Sequence, residues 1–151
     1  MTTIPATTSS GDWRSYPAID RLFTRCGWAA IGPDDFAQQT RRPGHLLLLF
    51  LEDPVRYKET LDLAVIAPEI VAAFPGRLAA GVLLPESARA LQSRYGFRRW
   101  PALVMLKDGD YVGAIDGLRN WDEYLAEVVR LLDAPVARPP AVGIAVVGDR
   151  G

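Results

Sequence analysis

The chain reads as an α/β protein in three layers: a central mixed β-sheet flanked by helices, with an extra helix ahead of it at the N-terminus. Three observations lead there. Leu46–Leu51 and Leu78–Leu84 are apolar throughout, as expected of strands buried on both faces of a sheet. Helical stretches separate the strands, and that alternation demands parallel neighbours joined by right-handed crossovers. Finally, Asp108-Gly109 lies between Ala102–Leu106 and Tyr111–Ile115, a strong signal for a hairpin that adds antiparallel strands at one edge.

The elements follow in order. Pro17–Arg25 places Ile19, Leu22 and Phe23 at helical spacing and stops at Gly27. Trp28–Ile31 is a short strand-like run. A helix starts at Pro33-Asp34-Asp35, reaches about Arg42 and stops at Pro43-Gly44. After the first long strand and Glu52-Asp53-Pro54, a helical stretch extends to Phe74, interrupted at Pro68, where a lost hydrogen bond should kink it. The second long strand precedes a helix over Glu86–Tyr95, with Ala88, Leu91 and Tyr95 on one side and Gly96 as the stop. The hairpin comes next. Trp121, Tyr124, Leu125, Val128, Leu131 and Leu132 then form the apolar stripe of a closing helix that starts near Asn120.

Length and composition narrow the function classes. A chain of 151 residues suits a single domain with a real core, and 49% hydrophobic with 23% charged residues is ordinary for a soluble globule. Residues 1–14 read as a flexible N-terminus, 15–134 as the folded domain and 135–151 as a disordered tail. A net charge of −1 excludes the basic footprint of a general nucleic-acid binder. Cys26 is the single cysteine, so an intrachain disulfide, a CxxC pair and a multi-cysteine metal site are all excluded. The polar, threonine-rich start does not read as a secretory signal, and no apolar run approaches the ~20 residues of a membrane span. The expectation is a cytoplasmic protein, not a membrane protein. Arg41-Arg42 and Arg98-Arg99 are internal pairs and no export signal of the chain's own.

Three local signatures resemble thioredoxin: Ile66-Ala67-Pro68-Glu69-Ile70, the kinked helix after the active site; Arg94–Pro101, the segment ending in that fold's cis-proline; and Ala102–Gly109, the strand and turn that follow. The resemblance spans roughly residues 28–132 and implies a thioredoxin-like fold with a cis bond at Trp100-Pro101. The departures are larger. The two redox cysteines would fall at Thr60 and Leu63, which are vestigial positions unable to form a thiolate, and the buried assisting carboxylate would fall at Leu49. With the cysteine-free site, Leu51-Glu52-Asp53-Pro54 and Arg98-Arg99-Trp100-Pro101, the chain resembles the HyaE/HupG family of hydrogenase expression proteins. That resemblance implies a chaperone for the small subunit of nickel–iron hydrogenases. It would bind the twin-arginine signal peptide and delay export until cofactor insertion is complete. Other maturation proteins are further expected partners.

The peptide-binding candidates are Glu52, Asp53, Glu59, Asp62, Trp100 and Pro101. The acids can receive an arginine pair, since guanidinium–carboxylate contacts are directional, or they can be solvated groups at a helix N-terminus. Trp100 and Pro101 can offer an apolar platform and a backbone edge to an extended peptide, or they can only shape a loop while Trp100 packs inward. Cys26 reads as a packed or idle thiol, and His45 has no neighbouring ligand or partner in sequence. Neither a catalytic constellation nor a metal or cofactor site is visible. A thioredoxin-like docking or assembly subunit that reads no signal peptide is the alternative function.

Overall fold

The computed structural model describes residues 12–140. Its strands are β1 (Ala29–Ala30), β2 (His45–Phe50), β3 (Leu78–Leu83), β4 (Ala102–Lys107) and β5 (Asp110–Asp116). The helices are α1 (Pro17–Thr24), α2 (Phe36–Thr40), α3 (Glu59–Ala72), α4 (Pro85–Tyr95) and α5 (Trp121–Asp133). The five strands form one sheet in the order β1-β3-β2-β4-β5. The pairs β1–β3 and β2–β3 are parallel, whereas β2–β4 and β4–β5 are antiparallel, which is the expected mixed sheet.

Alternation along β2 builds both layers of the core. Leu47 and Leu49 face a cluster with Ile19 and Leu22 of α1, Leu63 and Ile70 of α3, and Val128 and Leu131 of α5. Leu46, Leu48 and Phe50 face the opposite cluster, with Phe36 of α2 and Leu91 and Tyr95 of α4. A strand with both faces covered has no polar position to spare, which is why its run is unbroken. The hairpin closes through Asp108 and Gly109 with φ values of 52° and 89°, the paired left-handed geometry that a two-residue turn needs.

Some boundaries move. The helix expected directly after Pro54 begins at Glu59, because Pro54–Arg56 form a turn in which Asp53 Oδ1 accepts from the Val55 N–H at 2.9 Å. Pro68 does not interrupt α3, which runs through it to Ala72. Cys26 lies just beyond α1, not within it. Trp13, in the segment read as flexible, is buried and donates its indole N–H to Glu86 Oε1 at 2.9 Å. At the other end, the Ala137 N–H donates to the Tyr111 carbonyl at 2.8 Å. The remainder of the two expected flexible ends, residues 1–11 and 141–151, lies outside the described residues. Asn120 caps α5 in a reciprocal box with Glu123.

Candidate functional site

Thr60 and Leu63, the positions that the resemblance assigns to the redox cysteines, lie near the start of α3 and are both fully buried. The Thr60 hydroxyl has no hydrogen-bond partner among the described residues. Leu49, which the resemblance puts at the place of the assisting carboxylate, is also buried and packs in the same cluster as Leu63. None of the three side chains can form a thiolate or a carboxylate. The chain is therefore expected to show no insulin reduction, and Thr60→Cys with Leu63→Cys should not install it, because a thiol enclosed in apolar surroundings resists ionisation. Turnover in the unaltered protein that Cys26→Ser abolishes, or turnover in the double variant, would contradict this. Burial also pushes the Cys26 thiol up, against the opposing charge of Arg25.

The Trp100–Pro101 peptide is cis, as the resemblance implies. Pro101 is buried and its carbonyl accepts the Gly117 N–H at 2.8 Å, fixing the loop to the end of β5. Gly117 has φ 73°, the left-handed region that favours glycine, whereas a Cβ there would make only ordinary contact with the Arg99 side chain at 3.5 Å. Trp100 is half-buried, with its ring edge-on to Phe97 at 5.1 Å, and Phe97 stands edge-on to Phe50 at 5.0 Å. An aromatic row thus runs from the core to the surface.

Beside Trp100 lies an open cleft of about 510 Å³, lined by Tyr57, Glu59, Arg98, Arg99, Trp100, Gly117 and Leu118. Of the four candidate acids, only Glu59 lines it. Asp62 is exposed on the first turn of α3. Glu52 is buried, and its carboxylate is engaged within the chain: Arg89 of α4 donates from Nε to Oε2 at 2.8 Å and from Nη2 to Oε1 at 2.6 Å. Burial would raise the Glu52 carboxyl, but the Arg89 guanidinium and the Asp53 N–H together hold it below the usual range. Asp53 spends its Oδ1 on the turn at Val55. The four acids therefore do not form one receptive cluster.

The opposite wall is basic. Asp116 Oδ2 accepts the Arg98 and Arg99 N–H groups at 2.9 and 3.1 Å, while Oδ1 lies 3.7 Å from Arg99 Nη2 and 3.6 Å from Arg119 Nη2. Burial opposes ionisation of Asp116, yet these N–H donors and guanidinium groups outweigh it and lower its pKa. Leu118 and Trp121 add exposed apolar surface nearby in sequence. Sequence reasoning singled out Arg98 and Arg99 as part of a signature but not as cleft residues, and it missed Tyr57, Arg89 and Leu118 altogether. The signal for the arginines was their place directly before the cis-proline.

Comparisons with known proteins bear on the family and the fold. Residues 18–124 match the family model described as hydrogenase-1 expression protein HyaE. Over 133 residues the chain is 39% identical to the hydrogenase expression/formation protein HoxO of Cupriavidus necator, covering 87% of this chain and 83% of that one. It is also 39% identical over 117 residues to HoxO of Azotobacter vinelandii, covering 78% of each. Among solved structures, a mutant thioredoxin from Halobacterium salinarum NRC-1 aligns with a TM-score of 0.57 at 21% identity, over 72% of this chain and 92% of that one. The last likeness concerns the fold alone.

Proposed function

The chain belongs to the HyaE family of hydrogenase expression proteins, and from that premise we propose that it serves hydrogenase maturation as a non-catalytic chaperone. Its ligand in this reading is the twin-arginine signal peptide of the nickel–iron hydrogenase small subunit, bound in the cytoplasm before export. The observation that carries the reading is the cleft beside the cis-proline loop. It lies at a cis-proline loop, whose backbone can offer an edge to an extended peptide, and Thr60 and Leu63 are buried in the same domain.

A signal peptide needs a carboxylate partner for its arginines and apolar surface for its hydrophobic stretch. Glu59, on the cleft wall, and Asp62, on the next exposed position of the same helix turn, supply the first. Tyr57, Trp100 and Leu118 supply the second. Glu52 and Asp53 stand outside this lining, and Pro101 acts only by holding the loop that carries Trp100.

Titration calorimetry against the signal peptide tests the assignment. Each of Glu59→Gln and Asp62→Asn is expected to weaken binding by about tenfold, the scale of one charge-assisted hydrogen bond, without lowering the melting temperature. A Lys-Lys peptide should bind less well than the Arg-Arg peptide, since lysine keeps the charge and loses the planar fork. If both variants bind like the parent, and pull-down of the small subunit is indifferent to its signal peptide, the chain is a docking subunit of the maturation assembly instead.

A further inference from the structure

The cleft has two walls of opposite sign, and a purely basic ligand would satisfy only one. Glu59 stands on the α3 side, whereas Arg98 and Arg99 stand on the loop before the cis-proline. Behind them, the guanidinium groups of Arg99 and Arg119 flank the single carboxylate of Asp116, which Arg98 meets only through its backbone N–H. That carboxylate is bound chiefly by backbone: its short contacts are the two N–H groups, and its distances to Arg99 and Arg119 exceed hydrogen-bond length. The Arg99 side chain is 68% exposed, and the Arg98 guanidinium makes no ion pair among the described residues. Excess positive charge is thus held beside Trp100 and Leu118 with its forks open toward solvent.

We propose that this wall is an anion-accepting subsite, which takes an Asp or Glu carboxylate of the bound polypeptide next to an apolar residue seated on Trp100. The cleft then recognises a segment that carries both charge signs, and the acidic residue sets its direction across the two walls. The inference deepens the peptide-binding reading and rests on it for the identity of the ligand. Charge complementarity selects this occupant: an extended chain with one carboxylate matches Arg98 and Arg99, whereas an arginine pair laid across both walls would meet repulsion on one of them.

The test is a ¹⁵N NMR titration of the full chain with two blocked pentapeptides, acetyl-Ala-Leu-Glu-Leu-Ala-amide and the same peptide with Gln at the centre. The Glu peptide is expected to shift the Arg99 Nε–H and Trp100 indole resonances, and the Gln peptide to bind about fivefold more weakly. Arg98→Gln with Arg99→Gln should equalise the two peptides, while Arg98→Lys with Arg99→Lys should keep part of the difference. The backbone N–H bonds to Asp116 survive both exchanges, so an unchanged melting temperature is expected. Equal binding of the Glu and Gln peptides, shifts mapping away from the cleft, or the same shifts from inorganic phosphate would each overturn the proposal. The two readings fail separately. Retained signal-peptide binding with no Glu preference removes only the anion subsite, and a clear Glu preference with no signal-peptide binding removes only the twin-arginine ligand.

Discussion

Replacing Arg89 with Leu is expected to lower the unfolding free energy by about 2–3 kcal/mol at pH 7, because it strands the buried Glu52 carboxylate. The value lies below that of a fully enclosed pair because the Arg89 side chain is 37% exposed and water partly screens the contact. The pH dependence carries more information. In the parent, Glu52 has a lowered pKa, so the pair's contribution is complete above the ordinary value near 4.5 and disappears as pH falls through the lower folded value. In the variant, burial acts without the guanidinium and raises the same carboxyl. The stranded group then takes up a proton at a higher pH than the unfolded chain does, and its penalty shrinks as pH falls. Urea unfolding at pH 7 and pH 4 should show the gap between parent and variant closing. Equal stability at pH 7, or an unchanged gap at both values, would refute the assignment. Adding Glu52→Gln to Arg89→Leu should recover part of the loss, since no uncompensated charge remains. Neither change touches the cleft directly, so signal-peptide affinity should follow the folded fraction.

Trp100→Ala is expected to weaken signal-peptide binding by about 30-fold or more, the scale of an aromatic anchor at the centre of an interface. Trp100 lines the cleft while its edge-on contact with Phe97 holds the ring in place, so little of its freedom remains to be lost on binding. Some stability should also be lost, on the order of 1–2 kcal/mol, because a half-buried indole is removed from an aromatic row. Trp100→Phe separates the effects by keeping the packing and most of the platform, and it should bind within a fewfold of the parent. Calorimetry well below the melting temperature reads affinity free of unfolding. Parent-like binding by the alanine variant would move the apolar contact away from this loop.

Local and near-local chemistry made most of the fold legible. The unbroken apolar run of β2 announced burial on both faces, Asp108-Gly109 announced the hairpin, and the apolar stripe from Trp121 to Leu132 announced the closing helix that starts after Asn120. The site was harder to read because its decisive contacts are distant in sequence. Glu52 looks like a surface acid beside a proline, and only folding shows that Arg89, 37 positions later, has claimed it. Asp53 was ambiguous for a different reason: its side chain closes a turn with Val55, an arrangement as common in sequence as a free acid. Arg98 and Arg99 share their cleft with Glu59, some forty positions away, through strand order and not proximity along the chain. Charge clusters counted in sequence therefore overstated the acidity of the rim.

The hydrogen bond from Ala137 to Tyr111 bears on how the protein can be handled. Tyr111 stands at the hairpin end of β5 and Asp116 at the cleft end; at ~3.3 Å per residue, about 17 Å of strand separates them. Because β5 is the outer strand, that bond also occupies one main-chain acceptor on an otherwise open margin. A chain leaving Ala137 starts its course at the pole of the sheet opposite the ligand. A fluorescent reporter attached at Ala137→Cys, an exposed position, should therefore leave the cleft accessible, so that labelled protein remains competent to capture its polypeptide.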